Sequence, residues 1–289
     1  MARAGRLVAW ALDAEGSTRP AALIRIGAVP LLWTCVGENL SLVRATGAAQ
    51  AAEVVLFYAA SLAALIGLRT RVATALTAAV LVHIYVAAGS EAYARFFSHH
   101  HQALLTFLFV LLVFAPAGRS LSVDRWLALR RAAAAGEAPP PERGPLWALR
   151  LIALQVSAVY LWSVVDKLSL DFISGGRLER IAMELYVGSD LPEGAGIHAL
   201  FVAASWAVLI LEVALGVGLW SARARRWLVP LGILFHAILF LAVPVCVFSA
   251  LMVLLYLAYA APEAVDRAIA RLVGAPAPAP APAAGQEGA

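Results

Sequence analysis

The stretch LWALRLIALQVSAVYLWSVVDKLSL, residues 146–170, decides the fold. It stays apolar or small for most of its length, with Arg150 its one early charge. About 20 such residues, rising 1.5 Å each in a helix, cross the ~30 Å hydrocarbon layer of a bilayer. Lipid offers backbone N–H and C=O groups no partners, so a run of this length must be helical. Seven more runs share the character, at about 20–37, 53–69, 71–88, 102–117, 198–220, 226–243 and 244–261. Ala, Thr or Ser extends the shorter ones at their ends. The expectation is an all-α, polytopic integral membrane bundle of about eight transmembrane helices.

Composition points the same way. The 289 residues are 62% hydrophobic and 14% charged, with a mean hydropathy of +0.83. A soluble domain carries about 45–50% apolar and about 25% charged residues. The formal charge of +4 comes from arginines scattered at span ends, which is no footprint for nucleic acid. Residues 1–19 lack the uninterrupted apolar core of a signal peptide. Cys35 and Cys246 fall at span ends near one membrane face; helix packing accounts for them, and a bridge is the alternative.

Arginine sets the orientation. Fifteen arginines lie in the N-terminus, 69–71, 118–145, 221–226 and the C-terminus, against four on the other side: Arg44, Arg95, Arg177 and Arg180. Basic loops stay in the cytoplasm, so both termini are expected there. The chain then divides into an amphipathic N-terminus (1–19), a first four-span half (20–117), a cytoplasmic linker (118–145), a second four-span half (146–261) and a cytoplasmic tail (262–289). In the linker, Val123–Ala134 carries Trp126, Leu127 and Leu129 among arginines. It reads as a helix lying on the inner surface, ended by Pro139-Pro140-Pro141. The Ala-Pro alternation from about 275 has no means of building a core and reads as a disordered tail.

Of the 22 basic side chains one is a lysine, Lys167, near the outer end of its span. Arginine is always protonated, whereas a desolvated lysine gives up its proton near neutral pH and works as a base. An ionisable group at membrane depth costs about 2.5–3.5 kcal/mol on insertion scales and marks a functional site by default. The rival reading is a side chain that merely reaches for the headgroups. Tyr160, Ser163 and Lys167 recur at i, i+3 and i+7 and share one helical face, whereas Asp166 turns toward interfacial water.

Counted along the spans, His101 and His236 come to a similar level and could share an outward-opening chamber with Lys167. Glu212 lies deeper on the same reckoning. Glu212 reads either as a proton-handling acid or as a carboxylate bracing the bundle, and Arg25 as a structural ion-pair partner. His236 alone would be an interhelical hydrogen bond. His99-His100-His101 fans over about 200° on a helix and does not converge on one ion, so no metal is expected. Gly216 and Gly218 permit close helix packing.

These residues resemble a known family. Tyr160-x6-Lys167-Leu168-x2-Asp171-Phe172-x2-Gly175 is similar to the Tyr-x6-Lys-Leu-x2-Asp-Trp-x2-Gly segment of the vitamin K-dependent gamma-carboxylases. Phe235-His236-x11-Phe248-Ser249-x2-Met252 resembles their Phe-His…Phe-Ser-x2-Met stretch, spacing included. Phe97–Leu104 resembles the Asn-His-x-Tyr-Leu signature with His101 at its histidine, and Ser120–Arg125 the Ser-Leu-Asp stretch that follows. Glu212 through Trp220, with Arg223, fits the bacterial members, grouped as horizontally transferred transmembrane (HTTM) domain proteins. The likeness runs over roughly 20–261. It departs at His100, Ala103, Phe172 and Leu239, where the family has Asn, Tyr, Trp and Asn.

The resemblance implies a multi-pass protein of a bacterial inner membrane that works on a vitamin K-like quinol, without a metal. In that family the lysine takes a proton from the reduced quinone, which reacts with oxygen. The resulting alkoxide abstracts the γ-proton of a glutamate side chain, carbon dioxide adds, and an epoxide leaves. Carried over, Lys167 is the general base, and His101 and His236 orient or polarise. Glu212, Tyr160 and Arg25 relay protons or brace, and Phe235, Phe248, Ser249 and Met252 line the pocket. The implied partners are membrane lipids, a lipid-soluble quinone and a small or peptide substrate at the outer face. Residues 170–197 form the longest external segment and are too short for a protein-binding domain. The alternative is a non-catalytic relative that assists export, maturation or immunity for a secreted peptide. A solute transporter is disfavoured, since no inverted repeat is visible.

Overall fold

The computed structural model describes residues 12–37, 40–87, 100–188, 195–243 and 245–274. The expectations for the first residues of the amphipathic start, for His99 and for the Ala-Pro tail fall outside these segments. Helices make up most of what is described. They are α1 (Arg19–Val36), α2 (Ala48–Ile66), α3 (Thr70–Ala87), α4 (His100–Phe114), α5 (Val123–Ala135), α6 (Trp147–Lys167), α7 (Leu170–Ile173), α8 (Gly176–Ala182), α9 (Ala195–Gly218), α10 (Ala222–Ala242), α11 (Cys246–Leu255) and α12 (Pro262–Leu272). The strands described are β1 (Glu15–Ser17) and β2 (Arg143–Pro145), paired antiparallel with Gly16 opposite Gly144.

The protein is an all-α polytopic bundle. Among the described residues six helices are long and apolar enough to cross a membrane: α1, α2, α3, α6, α10 and the Gly196–Gly218 body of α9. Cys246–Tyr259, joined to α12 through a 110° bend, raises the number to seven if the bent pair is one span. The expected span at 102–117 appears as α4, 15 residues long. Pro116 stands just past its end, and proline drives the residue before it out of helical geometry. The helix therefore ends three residues short of the expected run. Apolar side chains face outward along the crossing helices; Leu241 of α10, for example, is 83% exposed. In water such a surface would aggregate, whereas in a bilayer it is where lipid lies.

Two compact units divide the chain, one of residues 1–152 with 254–289 and one of residues 153–253. In the first, α1 buries Ala21, Ile24, Ala28 and Leu32 against α2, α4 and the turn at Tyr256–Tyr259. Gly27 makes the fit possible, since a Cβ there would stand 2.7 Å from Leu254 Cδ1.

One end of this unit is knit together by polar groups. Asp124, in the first turn of α5, caps α3 from a distance. Its Oδ1 accepts from Arg69 N at 2.8 Å, and its Oδ2 from the amide and hydroxyl of Thr70, both at 2.7 Å. Ser122 caps α5 by accepting from Arg125 N at 2.9 Å. Glu142 receives Arg19 at 2.8 Å and Arg125 at 3.1 Å, while Ser17 donates to Asp266 of α12 at 2.6 Å. Four segments that each carry arginine, namely 17–19, 67–70, 118–145 and α12, therefore meet at one end.

Arg25 is fully buried beside this knot. Its hydrogen bonds go to carbonyls, and the charge of the Asp124 carboxylate acts on it from nearby. The guanidinium donates to Ala64 O, to Leu65 O at 2.6 Å and to Leu121 O at 2.7 Å. The first two belong to the last turn of α2, where helix carbonyls lack partners. Leu121 holds the left-handed backbone (φ 45°) that turns its carbonyl to Arg25. Such a conformation is uncommon without glycine and persists only where its surroundings fix it.

In the second unit α9 lies along α6. Gly216 sets the approach, because a Cβ would come within 2.9 Å of Leu161 Cδ2 and 3.4 Å of Tyr160 Cβ. After α6 the chain folds back through α7 and α8 onto the N-terminal half of α9. Gly175 (φ 82°) allows that turn, and a Cβ there would strike Val202 N at 2.7 Å.

Candidate functional site

Lys167 is the last residue of α6. Side chains of a helix lean toward its N-terminus, so this one reaches back over its own last turn. It donates to Ser163 Oγ one turn earlier and to both oxygens of Glu212, at 2.8 Å for Oε1 and 3.0 Å for Oε2. Ser163 in turn donates to Glu212 Oε1 at 3.1 Å. The three polar groups close a small ring between α6 and α9. Exposure is unequal across it: the Lys167 side chain is 22% exposed and that of Glu212 5%. One expectation changes here: Glu212 is the direct partner of Lys167 instead of lying apart at greater depth.

Two turns inward on the same face of α6, Tyr160 is buried with its hydroxyl 2.7 Å from His236 Nε2 of α10. The rings of Phe235 and Phe248 meet the imidazole edge-on, with centroids at 5.2 and 6.0 Å. Ser249 and Met252 of α11 are buried, and Ser249 Oγ has no hydrogen-bond partner. The second unit thus holds an amine–carboxylate–hydroxyl ring and a phenol–imidazole pair, both built on the face Tyr160–Ser163–Lys167. Proton exchange and the holding of a ligand oxygen are the chemistries such groups offer.

His101 stands in the first turn of α4, half-buried, in the first unit. Arg25 also belongs to that unit and serves its packing. Cys35 and Cys246 are both free thiols.

Several features escaped the reading of the sequence. Asp171 forms a two-pronged pair with Arg180, at 2.8 and 2.5 Å, which joins α7 to α8. The Arg180 hydrogen bonds hold its carboxyl below the ordinary carboxylate range. Asp166 is largely exposed, in line with the expectation that it turns toward water, and its neighbour Arg177, 3.8 Å away, is the part that was missed. In the first unit Glu53 of α2 meets His83 of α3, with Oε1 2.5 Å from Nδ1. An acid and an imidazole near the same ends of neighbouring spans were the available signal. Ser205 of α9 is fully buried and its hydroxyl has no partner. It lies seven residues before Glu212 on the same helical face.

A family model, the HTTM domain, matches residues 43–263. The match takes in every element from α2 to α11, and so all of the groups placed in the second unit. No curated protein matches the chain, and neither does any solved structure.

Proposed function

From the premise that this chain belongs to the HTTM-domain family, membrane proteins related to the vitamin K-dependent carboxylases, we propose a membrane enzyme acting on a lipid-soluble quinol. Lys167 is its general base. The observation that carries the reading is the face of α6 that sets a reachable amine beside Ser163 and Glu212, with a buried Tyr160–His236 pair below. A flat apolar quinol partitions into lipid and approaches such a face sideways. One quinol hydroxyl meets the amine, and the Tyr160–His236 pair offers a polar contact to the ring system. Phe235, Phe248 and Met252 supply apolar walls of the kind that ligand sites use. The part of His101, a residue of the first unit, rests on the family resemblance.

The quinol hydroxyl loses its proton to the lysine nitrogen and becomes an anion that molecular oxygen oxidises. Epoxide formation follows, coupled or not to carboxylation of a small or peptide substrate at the outer face of a bacterial inner membrane. A second reading, a non-catalytic factor for a secreted peptide, draws on the same ion pair taken as a brace between α6 and α9.

Lys167→Arg separates the two. Arginine keeps a cation opposite Glu212 but cannot act as a base at neutral pH. Purified protein in nanodiscs, given a vitamin K-type naphthoquinol, oxygen and labelled bicarbonate, should form epoxide, and Lys167→Arg should form none at unchanged expression. Full turnover in Lys167→Arg would remove the lysine as base. Lipid extraction of the wild-type protein should also yield a bound quinone.

A further inference from the structure

We infer that Glu212 is the proton store of the site: it takes the Lys167 proton before the substrate gives up its own, so that the working base is the pair. This rests on the reading of Lys167 as base and adds a role for a second residue. The geometry is that of an exchange rather than of a simple brace. Both Glu212 oxygens lie within 3.0 Å of Nζ, so transfer needs no movement of either helix. Ser163 accepts from the amine and donates to Oε1, which gives the proton a second path through one hydroxyl. The more exposed member is the amine, where a substrate can arrive, and the shut-off member is the acid.

Stability alone does not call for this arrangement. An ion pair buried at membrane depth often contributes less than apolar side chains of the same volume. A lysine that merely reached for the headgroups would lean outward, whereas Lys167 leans inward onto α9.

The step balances. In the resting pair Nζ carries three protons and Glu212 none. One N–H bond breaks and an O–H bond forms on Glu212, leaving a neutral amine beside a carboxylic acid. The nitrogen lone pair then takes the proton of the quinol hydroxyl. The products are an ammonium, a quinol anion and a still-protonated Glu212, with charge conserved. Once oxygen has consumed the anion, the more exposed amine passes a proton to water at the outer side and Glu212 returns its own proton to the amine, which restores the pair. No electron moves in these proton transfers.

Reduced menadione under strict anaerobiosis tests this, because without oxygen the sequence stops at the quinol anion. Near-ultraviolet absorbance reports the anion, and infrared difference spectra of protein labelled with 13C at the glutamate carboxyl report the acid. In wild type the expected result is a glutamic-acid carbonyl band that rises together with the anion. Glu212→Gln should lose the band and lower anion formation by on the order of 10²-fold, the usual scale for acid–base assistance. Anion without the labelled band in wild type refutes the proton store while leaving Lys167 as base. Absence of the anion in wild type refutes the quinol reading and the store with it. Since the labelled band is read in the wild-type chain, the test does not depend on Glu212→Gln folding.

Discussion

Cutting the Lys167–Glu212 pair one side at a time should give unequal losses of stability. Lys167→Met strands a carboxylate whose side chain is 5% exposed and keeps only Ser163 as donor. Removing one partner of a buried pair costs about 3–5 kcal/mol. A stranded acid can also take up a proton, and protonating an ordinary glutamate at pH 7 costs about 3.7 kcal/mol, which caps the loss near that figure. Glu212→Gln is milder. It leaves an ammonium that is 22% exposed and retains Ser163 together with the new amide oxygen as acceptors. About 1–2 kcal/mol follows, the scale of a charge-assisted hydrogen bond discounted for access to water. Lys167→Met combined with Glu212→Leu ends the desolvation of both charges and should return to within about 1 kcal/mol of wild type. Steric trapping in bicelles measures all four proteins on one scale. Equal single losses, or a double variant no better than Lys167→Met alone, would show that the two side chains do not meet as described.

Three further outcomes follow from the packing. Gly216→Val places methyl groups where a Cβ already comes within 2.9 Å of Leu161, so it should separate α6 from α9. The expected loss is about 1–3 kcal/mol, read by thermal unfolding, with any turnover falling alongside. Ser205→Ala removes a fully buried hydroxyl that has no partner and should raise stability by about 1 kcal/mol. A drop in stability there would mean that the hydroxyl is engaged. The Asp171 carboxyl is held low by Arg180, so the pair supports the fold above the ordinary carboxylate value and loses that support as pH falls through the lower, folded one. Asp171→Asn should flatten this acid limb in unfolding curves between about pH 2 and pH 5 and lower stability near pH 7 by the same small amount that wild type loses on acidification, the two proteins converging at low pH.

The bundle was legible because the length of an apolar run is itself a physical measurement of what crosses lipid. Its limits were equally physical. Pro116 trimmed α4, an effect that hydropathy does not register. Counting residues along α6 and α9 gave Cα heights but not where a long side chain ends. Lys167 leans toward the start of its helix and so meets an acid that the count placed deeper. The face Tyr160–Ser163–Lys167 was readable from periodicity, whereas the partners opposite it depend on the register between helices, which no local pattern encodes. Arg25 was expected to face a carboxylate because sequences display charged side chains and conceal backbone carbonyls. Its hydrogen-bond acceptors at Ala64, Leu65 and Leu121 emerge only when the chain is folded.

That arginine has a consequence for how the protein is made. It sits in the first crossing helix, and its acceptors are supplied up to 96 positions later. Ala64 and Leu65 supply two acceptors early, and until Leu121 has left the ribosome the buried guanidinium lacks its third. Integration of the early helices is therefore provisional, and release from the insertion machinery should wait on the linker. A nascent chain stalled with Leu121 still inside the exit tunnel should hold its first helix less firmly against alkaline extraction than one stalled with Leu121 exposed.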